Sequence, residues 1–153
     1  MARSGYDDGM IYLATDHRGF ELKEKIKTWL TEWGLEYVDC GATSFNPEDD
    51  YPDFVAIAAT KVSEDPVNNR AIVLGGNGQG EAMVANRKPG VRAAVFYGGS
   101  DEMIVMTREH DAANILSLGA SFVSDNEAKH AIKLWLDTPF SEAPRHVRRI
   151  AKY

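Results

Sequence analysis

The chain has 153 residues, a length that suits one domain with a buried core. Its apolar fraction of 44% and charged fraction of 26% are ordinary for a soluble globular protein. The formal net charge of −6 argues against general binding to nucleic acid or to a membrane surface. We treat residues 1–153 as one domain, with a flexible or disordered N-terminus over 1–9 and a basic helical C-terminus over 139–153.

The sequence predicts a cytoplasmic location. The first nine residues lack the apolar core of a signal peptide, and no apolar run approaches membrane-spanning length. Cys40 is the only cysteine, which excludes an intrachain disulfide and a cysteine metal cluster and fits a reducing compartment. Cys40 ends a predicted strand, and we interpret it as a small core residue.

Predicted strands and helices alternate along the chain. Short apolar runs predict strands at 10–15, 36–40, 71–74, 92–96 and 115–118. Helical periodicity with start and stop residues predicts helices at 18–33, 52–64, 81–87, 100–109 and 125–137, and a short one from Pro144. This order predicts an α/β fold, namely a doubly wound, Rossmann-like, five-stranded parallel sheet with helices on both faces. Ligands bind such sheets beyond the carboxyl ends of the strands.

A glycine-rich turn after the third strand is the main functional signal. It reads GGNGQGE from Gly75 to Glu81. Glycines let the backbone approach a ligand closely, and free N–H groups at a helix start favour an anion. The turn lacks the lysine of a P-loop and the spacing of a dinucleotide fingerprint. By itself the segment fits a ligand-free turn as well as it fits an anion-binding one. Glu81 likewise fits either a partner of the helix dipole or a catalytic base.

Asp16, His17 and His110 each have a structural and a functional interpretation, whereas His130 has only a structural one. Asp16 and His17 follow the first strand, where a helix cap beside a surface histidine is favoured over a phosphate site. His110 follows a helix and is either a solvated helix-end residue or a general acid or base. His130 has no charged partner that the sequence identifies, and we interpret it as structural.

Arg145 and Arg149 lie four residues apart, which places them on one face of the C-terminal helix. Two guanidinium groups on one face could clamp a phosphate through charge-assisted hydrogen bonds. A solvated basic tail is the alternative.

The segments that carry these residues resemble a known family. They occur in the order expected of type B ribose-5-phosphate isomerases, which are related to galactose-6-phosphate isomerases: ATDHRGFELK, DCG, DDYPD, GGNGQGEAMVANR, REHDAANIL and RHVRRI. The resemblance extends from about Ile11 to Ile150. It implies an aldose–ketose isomerase of the pentose phosphate pathway that converts ribose 5-phosphate to ribulose 5-phosphate through an enediolate, without metal or organic cofactor. An isomerase of another aldose or aldose 6-phosphate and a non-catalytic phosphometabolite-binding domain remain as alternatives.

The resemblance also assigns roles to single residues. Many family members carry a cysteine base at the head of the glycine turn, where this chain has Gly75. A subgroup uses a glutamate that matches Glu81, so we expect Glu81 to be the base and backbone N–H groups of residues 77–80 to hold the enediolate oxygens. The expected catalytic residues are Glu81, His110, which assists ring opening, and Asn77. The expected substrate-binding residues are Asp16, which contacts sugar hydroxyls, the phosphate ligands His17, Arg145 and Arg149, and Gly76, Gly78, Gln79, Gly80 and Asp111.

Three positions depart from the family pattern. Asn77 stands in place of a serine or threonine, Asp111 in place of an asparagine, and Ser121 in place of a phosphate-binding arginine. Arg18 is a candidate to supply the missing charge. Family sites form between two subunits, so we expect a homodimer with shared active sites, or a tetramer built from it, acting on a small sugar phosphate.

Overall fold

The computed structural model describes residues 9–153 and contains five strands and six α-helices within them. The predicted flexible segment 1–9 lies outside the described residues, apart from Gly9. The strands are β1 Ile11–Thr15, β2 Tyr37–Asp39, β3 Arg70–Gly75, β4 Ala93–Phe96 and β5 Ile115–Gly119. The helices are α1 Phe20–Glu32, α2 Tyr51–Glu64, α3 Gln79–Ala85, α4 Asp101–Glu109, α5 Asp125–Asp137 and α6 Pro144–Ile150. A 3-10 turn, His17–Gly19, precedes α1.

All five strands are parallel and lie in the order β2-β1-β3-β5-β4. From β1, the chain adds β2 on one side of the sheet and then returns to add β3, β4 and β5 on the other side. The crevice between β1 and β3 is therefore the topological switch point, the usual ligand site of a doubly wound sheet. Asp16 follows β1 there, and the glycine turn follows β3.

The sheet buries both of its faces, which confirms the predicted doubly wound architecture. Successive side chains of a strand point to opposite faces, so Ile72 and Leu74 pack with α1 and α5, while Ala71 and Val73 pack with α2. Leu22, Ile26, Trp29 and Leu30 form the buried apolar face of α1, at the spacing expected of a helix. Cys40 is half-buried at the margin of the α2 side, and this burial raises the pKa of its thiol.

Two predictions about helices need correction. The helix after the glycine turn begins at Gln79 and ends at Ala85, earlier at both ends than predicted. His130 does have a charged partner, because α4 and α5 pack together and bring its Nε2 atom to 2.8 Å from Asp101 Oδ2. Among the helices of residues 9–153, none is both long enough and apolar enough to cross a bilayer.

Candidate active site

The carboxyl edge of the sheet holds a cavity of about 390 Å³. Its walls come from the ends of β1, β3 and β5 and from the start of α2: Asp16, Arg18, Tyr51, Gly76, Asn77, Glu81, Ser121 and Phe122. Parallel strands bring these distant segments together because all their carboxyl ends meet at one edge. Of the residues that the sequence predicted for this edge, the cavity wall includes Asp16, Gly76, Asn77 and Glu81, whereas His17, Gly78, Gln79 and Gly80 are not part of it.

The Glu81 side chain lies inside the protein, against the end of β3. The residue is only 4% exposed but still contributes to the cavity wall. A Cβ atom built on Gly75 would lie 1.7 Å from Glu81 Oε1. The carboxyl group therefore occupies the space that a side chain at position 75 would need.

Burial sets the acidity of this carboxyl group. Desolvation, and to a smaller extent the nearby Asp16 carboxylate, raise the pKa of Glu81, against the lowering effect of its own backbone N–H. Within residues 9–153 no Lys, Arg or His nitrogen lies within 4.0 Å of the carboxylate. Glu81 is consequently a stronger base than an exposed glutamate.

This environment leads to a pH prediction. If ionised Glu81 is required, kcat/KM should fall in acid with a midpoint above 4.5, the ordinary pKa of a glutamate. Asp16→Asn removes the like charge, so the midpoint should move to lower pH whatever happens to the maximal rate. Asp125→Asn, at the exposed start of α5, should leave the midpoint unchanged. An unmoved midpoint in Asp16→Asn would contradict the assignment of the acid limb to Glu81.

The glycine turn contains backbone donors that have no partner within the described chain. In the described chain, the N–H groups of Asn77 and Gly78 have no hydrogen-bond acceptor. The Gln79 N–H is different, because it donates to Asn77 Oδ1 at 2.9 Å. Gly78 has φ +80°, a left-handed conformation that suits glycine, and Ser117 Oγ donates to its carbonyl at 2.6 Å. Of the donors expected from 77–80, the one on Gln79 is therefore already used.

The segment after β1 is held by two aspartates. Asp16 caps the 3-10 turn, since its Oδ1 accepts a hydrogen bond from the Arg18 N–H at 2.9 Å, so the favoured capping role is confirmed. Asp49 Oδ1 lies 2.7 Å from His17 Nδ1 and also accepts from the His17 N–H at 3.0 Å. Potential metal-ligand atoms of Asp16, His17 and Asp49 lie within 4.8 Å of one another. Both hydrogen bonds to His17 use Asp49 Oδ1, and Asp49 Oδ2 is buried without a hydrogen-bond partner.

The other predicted residues lie on the opposite edge of the sheet. His110 ends α4, and the loop after it leads into the start of β5. Arg92, next to the start of β4, donates from Nε to the Asp111 carbonyl at 3.1 Å. Within one chain, the structure does not bring His110, Asp111, Arg145 and Arg149 to the Glu81 cavity.

The His146 side chain packs against the His110 side chain. The two imidazole rings stack with centroids 4.3 Å apart and an interplanar angle of 15°. Burial, together with the charges of His110, Arg145 and Arg149, lowers the pKa of His146. The exposed guanidinium groups of Arg145 and Arg149 lie on the same helix, α6, as His146.

Sequence reasoning missed several contributors to these two edges. Asp49, which holds His17, lies in the segment DDYPD, which the resemblance included but to which it assigned no role. The Tyr51 hydroxyl packs so closely on Gly80 that a Cβ there would lie 2.3 Å from it. His146 lay beside the predicted arginines without a role. No local pattern signals these contacts, because each partner comes from a different part of the chain.

Comparisons with known proteins agree with this geometry. The family described as ribose/galactose isomerase matches residues 11–153. A ribose-5-phosphate isomerase B of Mycolicibacterium paratuberculosis is 43% identical over 92% of this chain and 86% of its own length. The crystal structure of a Mycoplasma genitalium ribose-5-phosphate isomerase B with bound ribulose 5-phosphate is 37% identical and superposes with a TM-score of 0.89 over 94% of this chain and 92% of that one. The type B enzyme of Trypanosoma brucei gives 30% identity and a TM-score of 0.87, covering 95% and 97% of the two chains.

Together with these relatives, the doubly wound fold and its cavity at the switch point identify an α/β aldose–ketose isomerase of sugar phosphates. The chain belongs to the ribose/galactose isomerase family, in its type B ribose-5-phosphate isomerase branch.

Proposed function

We propose that the chain interconverts ribose 5-phosphate and ribulose 5-phosphate, with Glu81 as the base that takes the C2 proton. The observation that carries this proposal is the position of the Glu81 carboxyl group against Gly75, inside the cavity at the switch point. The resemblance places a cysteine base at position 75 in many relatives. A carboxylate delivered from α3 into the same space can therefore take over the proton transfer.

The reaction needs one proton to move between two carbons. Glu81 takes the proton from C2 of the open-chain aldose, and the electron pair of that bond forms the C1–C2 double bond of an enediolate. The resulting carboxylic acid returns the proton to C1, while the hydroxyl proton at O2 is lost and one is gained at O1. His110 assists the ring opening that comes first. The bound sugar excludes water from the cavity, and this desolvation makes the buried carboxylate a stronger base.

The developing negative charge on the enediolate oxygens needs hydrogen-bond donors. The N–H groups of Asn77 and Gly78, which have no acceptor in the described chain, supply them. One such preorganised donor contributes about 3 kcal/mol to the stability of an oxyanion. Asn77 replaces the hydroxyl residue of relatives, and its side-chain amide can donate to the substrate but cannot relay a proton.

We infer that the complete site forms between two subunits. One chain supplies Asp16, His17 and Glu81 from its carboxyl edge, and its partner supplies His110 and the α6 arginines from its amino edge. Exposed apolar side chains flank both edges, which supports such contact: Tyr97 and Phe122 beside the glycine turn, and Val147 on α6. A two-fold axis would then build two identical sites in each dimer, and a tetramer would contain two such dimers.

A mixing experiment tests this arrangement. Glu81→Gln and His110→Ala should each be nearly inactive as homodimers. When co-refolded in equal amounts, half the dimers are mixed, and each mixed dimer has one site with both residues intact. About a quarter of the wild-type activity should therefore return. No recovery, despite mixed dimers detected by two different affinity tags, would contradict the shared site.

The substrate proposal is tested by incubating ribose 5-phosphate with the protein in deuterated water. Formation of ribulose 5-phosphate with deuterium at C1 supports the enediolate route. A panel of aldoses and aldose 6-phosphates, scored in the same way, identifies a different preferred sugar. Binding without any exchange of the C2 hydrogen would instead indicate a phosphometabolite-binding protein. A cytoplasmic location is part of the proposal, supported by a sequence with a single cysteine.

A further inference from the structure

Arg18 stands out among the residues that line the Glu81 cavity, because it is the one cation in that described set. The same wall carries two carboxylates, Asp16 and Glu81. A sugar phosphate that entered such a cavity would meet net repulsion without a positive charge beside it. The position of Arg18 therefore bears directly on which ligands the cavity accepts.

The Arg18 guanidinium is held by a neutral group. Its Nη2 atom donates to Ser121 Oγ at 3.1 Å, although the two residues are 103 positions apart. Ser121 is itself fixed to the glycine turn, because its N–H donates to the Gly76 carbonyl at 3.1 Å. Within residues 9–153, no carboxylate oxygen lies within 4.0 Å of the guanidinium. The charge is thus placed in the cavity without being neutralised there.

The glycine turn leaves room for this guanidinium. A Cβ built on Gly76 would lie 3.4 Å from Arg18 Nη2, so the cation packs directly over the backbone of the turn. Its remaining N–H groups face no carboxylate and can form a two-point contact with a phosphate. An arginine presents this planar fork to phosphate where a lysine would present only a point charge.

We propose that Arg18 binds the phosphate group of the substrate and that Ser121 positions it. The inference rests on the proposed function, and it adds a residue that determines affinity for the phosphate group. The sequence resemblance puts an arginine at position 121 in relatives. In this chain the cation comes from the turn after β1 instead, and the small side chain at position 121 holds it in place.

The first test compares Arg18→Met with the wild type. Loss of a charge-assisted contact should raise KM for ribose 5-phosphate about 10- to 100-fold. The inhibition constant of inorganic phosphate should rise by a similar factor. Because a phosphate far from the reacting carbons is bound equally in ground and transition states, kcat should change by less than about threefold. Lys61→Met, which removes a partly exposed charge from α2, outside the cavity wall, is the matched control and should change none of the three.

The role of Ser121 is tested by a double-mutant cycle. Ser121→Ala should raise KM by about threefold in the wild type but have no effect in Arg18→Met, since it acts only through Arg18. Conversely, Ser121→Arg in the Arg18→Met background should restore phosphate affinity, because the cation returns to the same point. Equal effects of Ser121→Ala in both backgrounds would overturn its positioning role.

Further outcomes separate this inference from the proposed function. A fall in kcat for Arg18→Met, with unchanged phosphate inhibition, would mean that Arg18 contacts the reacting end of the sugar and would overturn the inference. If the wild type does not isomerise ribose 5-phosphate, the proposed function fails, and calorimetric titration with inorganic phosphate then decides the role of Arg18. Weaker binding to Arg18→Met supports that role, whereas equal or undetectable binding to both proteins overturns it.

Discussion

Glu81→Gln is expected to lower kcat by a factor of about 10² to 10⁴, the contribution of a general base, while KM changes little. The amide keeps the shape of the carboxyl group but cannot accept the C2 proton. The measurement is the steady-state rate of ribose 5-phosphate isomerisation at pH 8, combined with exchange of the C2 hydrogen into deuterated water.

The same substitution should stabilise the folded protein. Because the pKa of Glu81 is raised on folding, its ionisation favours the unfolded chain, and that cost is present above the folded-state pKa and disappears below the ordinary value of 4.5. Glu81→Gln should therefore unfold at a higher temperature than the wild type at pH 8, but not at pH 4.

For the rate measurement, Glu64→Gln, at the exposed end of α2, is the isosteric control and should leave the isomerisation rate unchanged. Full activity of Glu81→Gln would rule out the base assignment.

Gly75→Ala is expected to lower kcat by about 10²-fold or more, although it adds a single methyl group. The methyl carbon would lie 1.7 Å from Glu81 Oε1, so the carboxyl group has to leave its position. Gly75 lies in β3 outside the left-handed region, and its backbone conformation is open to alanine. The loss should appear in the isomerisation rate rather than in folding.

Adding Gly75→Ala to the Glu81→Ala variant tests whether the methyl group acts only by displacing Glu81. In Glu81→Ala the steric conflict is absent, so adding Gly75→Ala should reduce neither the residual rate nor the free energy of unfolding further. Circular dichroism and thermal unfolding of Gly75→Ala should show an intact fold, since the displaced group is the end of a flexible side chain. Wild-type activity in Gly75→Ala would show that the carboxyl position seen against β3 is not the working one.

The sequence determined that strands and helices alternate along the chain, and on which edge of the resulting sheet the ligand-binding groups collect. A short apolar run such as 71–74, rich in branched residues and followed by glycines, indicates a buried strand, and alternation of such strands with amphipathic helices favours a parallel sheet. Because parallel strands end at one edge, the turn after β3 and Asp16 after β1 were predictable neighbours. The start of α3 was less predictable, because it depends on the Asn77 side chain capping the Gln79 N–H and on the left-handed Gly78.

Tertiary structure alone decided which atoms meet. Arg18 reaches Ser121, His130 reaches Asp101, and Asp49 reaches His17, all across long stretches of sequence. It also decided that Glu81 lies against Gly75 and that His110 lies on the far edge of its own chain. Periodicity states which face of an element is buried, but side-chain partners depend on how those faces dock. Docking is settled by close packing over the whole core, which no local segment encodes.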